Sequence, residues 1–322
     1  MGQPQAMHGT PHLTAEEILS RKSTRRVAYA MFSSDWNGIT SDPRYMRIPI
    51  DDHLVHRGDG VFETLLCVDN ALYNLSAHID RLFRSAEAIG LGLPWTKELL
   101  RQIVLDTFHA AGKSQCLGRI LLGRGTGGFG VSPAECEQAS CYIVVYPGGK
   151  GFMESHPLGA RIMISSIPVK SGGLARIKTC NYLPNALMKA EALQAGVDFA
   201  VSVDPEGYLA ESFTENIALV RERTLHVAPA THHLAGTTLA RVVELAKASG
   251  YSIDPTPFTA TEALAADEVL IVGTTAYVTS VVAIDERPVG SGAPGPVASE
   301  LDTLLREDIK RNTILRDSFI AD

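Results

Sequence analysis

The 322-residue chain is long enough for two domains of ordinary size, each burying its own core. A hydrophobic share of 45%, a charged share of 20% and a net charge of -7 describe a globular protein without the basic footprint that nucleic acid requires, so a small-molecule partner is expected. No apolar run reaches the roughly 18 residues of a membrane helix, and the N-terminus lacks a signal-peptide core, which makes the cytoplasm the expected location and a membrane partner unexpected.

Residues 1–27 read as an extension outside the main fold. Gly2, Pro4, Gly9 and Pro11 interrupt a polar stretch, and Thr14-Ala-Glu-Glu17 has the spacing of a capping box that opens a short helix. From Val61, the run Val-Phe-Glu-Thr-Leu-Leu-Cys-Val, a turn at Asp69-Asn70 and Ala-Leu-Tyr-Asn-Leu predict a hairpin. Ile79, Leu82, Phe83, Ala86 and Ile89 then recur at helical spacing, with Ser76 as the predicted N-cap. A second helix carries Leu99, Leu100, Ile103, Val104 and Phe108. Arg119-Ile-Leu-Leu-Gly and Cys141-Tyr-Ile-Val-Val-Tyr read as buried strands. Pro147-Gly-Gly-Lys-Gly151 is the predicted linker, dividing a small domain, 28–148, from a larger one, 149–322.

The second half opens on a strand at Ala160-Arg-Ile-Met-Ile and enters a helix at Pro184, a residue suited to the first helical turn. Short strands are expected near Phe199–Val203, Ile217–Val220 and Leu225–Val227, then a helix over 238–248 and strands near Val269–Val272 and Val278–Ile284. A final amphipathic helix uses Val297, Leu301, Leu304, Leu305 and Ile309. Strands fill the middle of each half and helices flank them, an α+β pattern. The five cysteines, Cys67, Cys116, Cys136, Cys141 and Cys180, have no paired spacing and read as free thiols rather than a metal site or a disulfide framework.

Several stretches can carry chemistry. Gly123-Arg-Gly125-Thr-Gly-Gly128 fits a dinucleotide fingerprint in letters only, because Phe129-Gly-Val-Ser-Pro133 follows where a helix has to open. Leu234-Ala-Gly236-Thr237-Thr238 lies at the start of a well-patterned helix, where open amides and the helix dipole suit a phosphate. Asp80 and Arg81 cannot share a face with Ile79 and Leu82, so by themselves they read as a solvated charged face. Val272-Gly-Thr274-Thr275-Ala reads as a strand end with a turn.

Taken in order, these and three further passages say more. Arg57-Gly-Asp59-Gly-Val-Phe62-Glu63-Thr64 with His78-Ile-Asp-Arg81, Arg176-Ile-Lys178-Thr-Cys-Asn-Tyr182-Leu-Pro-Asn, Leu-Ala-Glu211-Ser-Phe-Thr-Glu215-Asn216, and the two threonine segments resemble the fold-type IV pyridoxal-phosphate enzymes, or class IV aminotransferases, over about 46–285. The resemblance implies an α+β fold of two α/β domains, the larger with a pseudobarrel-like sheet, and pyridoxal 5'-phosphate as cofactor. It implies that Lys178 carries the cofactor and moves the catalytic proton, and that Glu211 faces the pyridine nitrogen. Tyr182 would lie near the phenolic oxygen. Arg81, Thr237, Thr238, Thr274 and Thr275 would hold the phosphate, with Phe62, Arg124 and Phe129 as substrate-facing candidates. Burial and the neighbouring Arg176 are expected to lower the Lys178 pKa. Lys170, before Ser-Gly-Gly, and Lys189, beside Glu191 in a helix, rank below it. Asn216 is expected to shape the turn after Glu211, and Glu215 to be structural.

The resemblance is nearest to the D-amino-acid aminotransferase and aminodeoxychorismate lyase branch. Its bacterial D-alanine transaminases trap the substrate carboxylate with an arginine and a histidine, where this chain has Gly127-Gly-Phe129-Gly-Val131. The implied function is ping-pong transfer of an amino group from an amino acid, D- or branched-chain, to a 2-oxo acid. A lyase forming 4-aminobenzoate and pyruvate is the alternative, and Glu63 leans toward transamination. A non-catalytic cofactor-binding protein is a third reading, disfavoured because it has no need of the lysine. A homodimer is implied.

Overall fold

The computed structural model describes residues 13–21, 28–170, 172–231 and 233–319. Residues 1–12 and 22–27 of the expected extension, with Gly2, Pro4, Gly9 and Pro11, lie outside the described residues. Helix α1 (Ala15–Ser20) carries the expected capping box between Thr14 and Glu17.

The first half builds β1 (Ala30–Ser33), β2 (Gly38–Thr40), α2 (His53–His56), β3 (Gly60–Val68), β4 (Ala71–Tyr73), α3 (Leu75–Ala88), α4 (Lys97–Ala111), β5 (Gln115–Gly123) and β6 (Ser140–Tyr146). The second builds α5 (Phe152–Ser155), β7 (Ala160–Ile164), α6 (Leu183–Ala195), β8 (Phe199–Val203), β9 (Leu209–Ser212), β10 (Asn216–Arg221) and β11 (Thr224–His226). It continues with α7 (Thr237–Ala248), β12 (Ser252–Asp254), α8 (Ala260–Leu264), β13 (Glu268–Gly273), β14 (Tyr277–Ile284), β15 (Arg287–Pro288), α9 (Pro296–Arg311) and β16 (Arg316–Ser318).

The first sheet runs β16-β4-β3-β5-β6-β1-β2. Its hairpin turns through Asp69 and Asn70, both left-handed with φ of 51° and 59°, the two-residue turn whose twist matches that of the strands. Helix α3 begins at Leu75, two residues earlier than a Ser76 N-cap allows. Asn74 occupies the cap in left-handed conformation, which Asn tolerates, and the early turn buries Leu75. On the helix-facing side of this sheet Val61, Leu65, Ile120 and Leu122 pack against Ile79, Leu82, Leu100, Val104 and Phe108 of α3 and α4.

The second sheet runs β12-β11-β10-β13-β14-β7-β8-β9, and β9 reaches β10 again through Glu211 and Asn216. Six strands therefore close into a ring, the pseudobarrel. Ile162, Val201, Ile217, Leu219, Ile271 and Val281 fill one core, while the alternating Ala218 and Val220 of β10 face Leu239, Val242, Leu301 and Leu305 of α7 and α9. Removing such a side chain costs about 2–5 kcal/mol, so this packing holds the ring shut.

Residues 147–151 join the two sheets. The expected second segment does not stay with the second sheet, however, because β16 returns to pair with β4, Arg316 opposite Tyr73. Among the described residues, no helix is long and apolar enough to cross a membrane.

Candidate active site

A cavity of about 130 Å³ opens between the sheets. Phe62 and Thr64 of β3, Arg119 of β5 and Tyr146 of β6 line one wall. Lys178, Tyr182, Asn216, Thr237, Thr238, Thr274 and Thr275 line the rest, with the Thr214 and Leu234 loops.

Strand alternation explains the first wall. Phe62 and Thr64 point into the cavity while Glu63, between them, points to α3, and Arg119 lies directly opposite Thr64 across the β3–β5 ladder. The start of β3 also receives the lysine segment. Phe62 N–H donates to the Lys178 carbonyl (2.9 Å) and Cys180 N–H to the Gly60 carbonyl (2.8 Å). Lys178 is thereby fixed beside Phe62, only 8% exposed, its Nζ 4.7 Å from the ring centroid. Burial, then the charge of Arg81, brings its pKa down to about 8, against the pull of Glu63 and Glu211. Arg176, expected to do this, is exposed; the cations that act on Lys178 are Arg81 and Arg119.

Arg81 does not belong to a solvated face. Glu63, fully buried, takes its Nε at 2.6 Å and its Nη2 at 2.7 Å, the bidentate geometry that makes burying a guanidinium tolerable. Its Nη1 donates to the Ala235 carbonyl (2.9 Å). Although burial opposes it, Arg81 and His78 hold the Glu63 carboxyl down to about 2. Asp80 remains outside and pairs with Lys97 (2.6 Å).

At the opposite wall α7 starts behind Gly236, which supplies no side-chain cap, so the first amides of the helix stay open. Glycine is required there: a Cβ would lie 1.9 Å from the Asn216 Oδ1, and Asn216 itself donates to the Leu234 carbonyl (2.9 Å). Asn216 therefore fixes the approach to α7 rather than only the turn after Glu211. Thr238 and Thr274 hydroxyls lie 3.4 Å apart, and Thr237 Oγ1 lies 3.3 Å from His78 Nε2.

Glu211, on β9, stands behind the lining at Leu234, whose N–H donates to its Oε2 (3.0 Å). Burial pushes its pKa up, while that N–H and the charges of His233, Lys178 and Lys170 pull it down. Tyr182 meets Phe62 edge-on, centroids 4.9 Å apart, and burial raises its phenol pKa. Glu215 is buried and accepts the Thr214 N–H (3.1 Å) and hydroxyl.

Two of the substrate-facing candidates lie elsewhere. Arg124 is held by Asp59 (2.9 and 3.0 Å) and donates to the Gly90 and Ile89 carbonyls, away from the cavity. Phe129 is 66% exposed and stacks on His56 (5.2 Å) in a loop that Arg57 secures through the Gly130 and Phe129 carbonyls. As expected, no helix opens directly after Gly128; only a 3-10 turn follows, at Pro133–Glu135. Of the competing lysines, Lys170 lies over the Tyr182 ring (4.7 Å) outside the lining, and Lys189 donates to the Asp198 carbonyl (3.2 Å).

Residue order alone missed Arg119, Thr64, Tyr146 and the partner roles of Glu63 and His78. One signal existed: a lone arginine inside the apolar β5. Arg119 has no acidic partner among the described residues and rests against Phe62 (5.2 Å) and Tyr146 (5.9 Å).

Open helix amides, a guanidinium and threonine hydroxyls suit a phosphate. A lysine with a lowered pKa suits an aldehyde, and the buried Glu211 suits a protonated ring nitrogen. This donor set fits pyridoxal 5'-phosphate.

Residues 60–284 match the family model for amino-transferase class IV. The chain is 35% identical to a chloroplastic D-amino-acid transaminase of Arabidopsis thaliana, over 93% of this chain and 82% of that protein. It is 31% identical to a putative branched-chain-amino-acid aminotransferase of Methanocaldococcus jannaschii, over 84% and 94%. The branched-chain amino acid aminotransferase of T.th., solved with pyridoxamine 5'-phosphate, superposes with a TM-score of 0.86 at 28% identity, covering 91% of this chain and 99% of that one. Neither a lyase nor a non-catalytic binding protein is favoured by these likenesses. The chain belongs to the class IV aminotransferases, a family of enzymes whose cofactor is pyridoxal 5'-phosphate.

Proposed function

We propose that the enzyme moves the amino group of an α-amino acid, D- or branched-chain, to a 2-oxo acid in two ping-pong halves at this cavity. The observation that carries the reading is the Phe62 ring, which has the Lys178 amine at 4.7 Å and the Arg119 guanidinium at 5.2 Å. An amine that handles a proton and a cation without an acidic partner thus lie within one substrate's span, and a carboxylate completes the pair. The two relatives described above, one named for D-amino acids and one for branched-chain amino acids, support both donor classes.

Bound pyridoxal phosphate supplies the carbonyl that receives the amino group and the conjugated ring that accepts electrons from the substrate Cα. The protein does the rest. Lys178 would anchor the cofactor and then use its neutral Nζ to take the Cα proton, a role that its pKa of about 8 suits. Glu211 would hold the proton on the ring nitrogen. Arg81, Thr237, Thr238, Thr274 and Thr275 would grip the phosphate, and Tyr182 would flank the ring. Arg119 would orient the substrate carboxylate. Val131 (80% exposed) and Phe129 on the loop after β5 support a homodimer, which light scattering after size exclusion tests.

Absorbance spectra during addition of D-alanine, L-leucine and L-glutamate test the reading. An amino acid should shift the visible cofactor band to the shorter-wavelength aminated form, and a 2-oxo acid should restore it. A band unmoved by every amino acid, with pyruvate released from aminodeoxychorismate, would overturn transamination in favour of the lyase.

A further inference from the structure

Behind the phosphate end lies a buried chain of hydrogen bonds that the reaction as described leaves unused. Glu63 Oε2 lies 2.7 Å from His78 Nδ1 while the same carboxylate takes Arg81 through both oxygens. Ionised, Glu63 can only accept, so Nδ1 must carry a hydrogen. In a neutral imidazole Nε2 is then an acceptor, and the Thr237 hydroxyl, 3.3 Å away, has to donate to it. A hydroxyl has one hydrogen. With that hydrogen committed to His78, Thr237 Oγ1 turns only lone pairs toward the cavity, which is the wrong polarity for an anion. In an imidazolium both nitrogens donate, Nε2–H points to Oγ1, and the threonine hydrogen becomes free to face a phosphate.

We propose that His78 is a proton-linked positioning residue: neutral without an anion in the cradle, and protonated when a phosphate dianion sits among Arg81, Thr237 and Thr238, reversing the Thr237 hydrogen bond. This rests on the reading of the cavity as the cofactor site. No bond between heavy atoms changes: one N–H bond forms at His78 Nε2 with a proton taken from solvent, and the Thr237 hydroxyl turns its hydrogen away from the ring.

The groups around His78 permit the switch. Glu63 faces it from β3, Arg81 from its own helix, Lys178 from the segment beside β3, and the phenols of Tyr73 and Tyr277 line the small space next to it. Burial first, then Arg81 and Lys178, disfavour the second proton, and Glu63 favours it, with the balance toward the neutral ring. A phosphate dianion on the Thr237 side adds negative charge where the second proton would reside.

The test is nitrogen-15 NMR of the full chain labelled at histidine, with and without pyridoxal phosphate, at about one pH unit above the ordinary histidine value. His78 is assigned by its loss in His78→Gln, and the phosphorus-31 resonance reports the bound phosphate. The expected result is one protonated ring nitrogen without cofactor and two with it. A single protonated nitrogen in the bound form, or two in both forms, would overturn the proposal. No bound phosphorus resonance would overturn the cradle reading, and the proposal with it. Should His78→Gln fail to fold, calorimetry of the unaltered chain with sulfate, a dianion that does not titrate in this range, decides: comparison of buffers of different ionisation heat should give uptake of about one proton per sulfate. Binding without uptake would refute the switch.

Discussion

The two ends of the cavity are built in different ways. At the end proposed for phosphate, the groups come from a helix start, a strand end and one helix face, and a buried ion pair ties Arg81 to Glu63. At the end proposed for substrate, Phe62, Thr64 and Arg119 meet only because β3 and β5 pair in one register, and Arg119 stands without an acidic partner among the described residues. The first end ties its cation to a buried carboxylate, whereas the second leaves its cation without one. The same residue type should therefore fail differently at the two ends.

Arg81→Leu should give the largest effect, because it leaves Glu63 buried without its bidentate partner. Loss of about 3–5 kcal/mol in denaturant unfolding is expected, together with loss of the cofactor's visible absorbance. An unchanged unfolding midpoint would erase the contrast. Arg119→Leu should leave stability and the cofactor spectrum intact but lower kcat/KM about 10–100-fold, the worth of a charged hydrogen bond of about 1.5–3 kcal/mol. Steady-state kinetics with the preferred donor measures this, and full activity would remove Arg119 from the substrate end.

A pH profile sharpens the same contrast. Because the Lys178 pKa is lowered to about 8, its neutral amine accumulates as pH rises through that value. Stopped-flow attachment of pyridoxal phosphate should accelerate up to about pH 8 and then level, instead of climbing toward the ordinary lysine value near ~10.4. Arg119, like Arg81, lowers this pKa, so Arg119→Leu should move the midpoint upward. Thr274→Val should have the smallest effect, about a 2–10-fold rise in the cofactor dissociation constant measured by fluorescence, the worth of one neutral hydrogen bond.

What the chain's letters revealed follows this division. Leu234 to Thr238 is a local pattern, a glycine and two threonines before a periodic helix, and it emerges at the start of α7 with its amides open. Lys178 and Thr274 likewise sit in compact motifs and line the cavity, with Glu211 behind Leu234. Arg119 was not, because its place in the cavity depends on pairing with a strand far away in the chain. Arg124 and Phe129 misled for the converse reason: they follow β5 directly, but Asp59 and His56 hold them outside the cavity. The credit given to Arg176 belonged to Arg81, a neighbour in space rather than in sequence. Asn74 displaced Ser76 as the cap because the hairpin leads straight into α3. The strand Arg316-Asp-Ser318 has no β-branched or aromatic residue, and only its pairing with β4 defines it.

Lys178, rather than Lys170 or Lys189, is proposed to bear the cofactor. Borohydride reduction of the pyridoxal-phosphate-loaded enzyme, followed by proteolysis and mass spectrometry, tests it directly. The phosphopyridoxyl mass is expected on Lys178 alone; the same mass on Lys170 or Lys189, with Lys178 unmodified, would place the cofactor on another lysine.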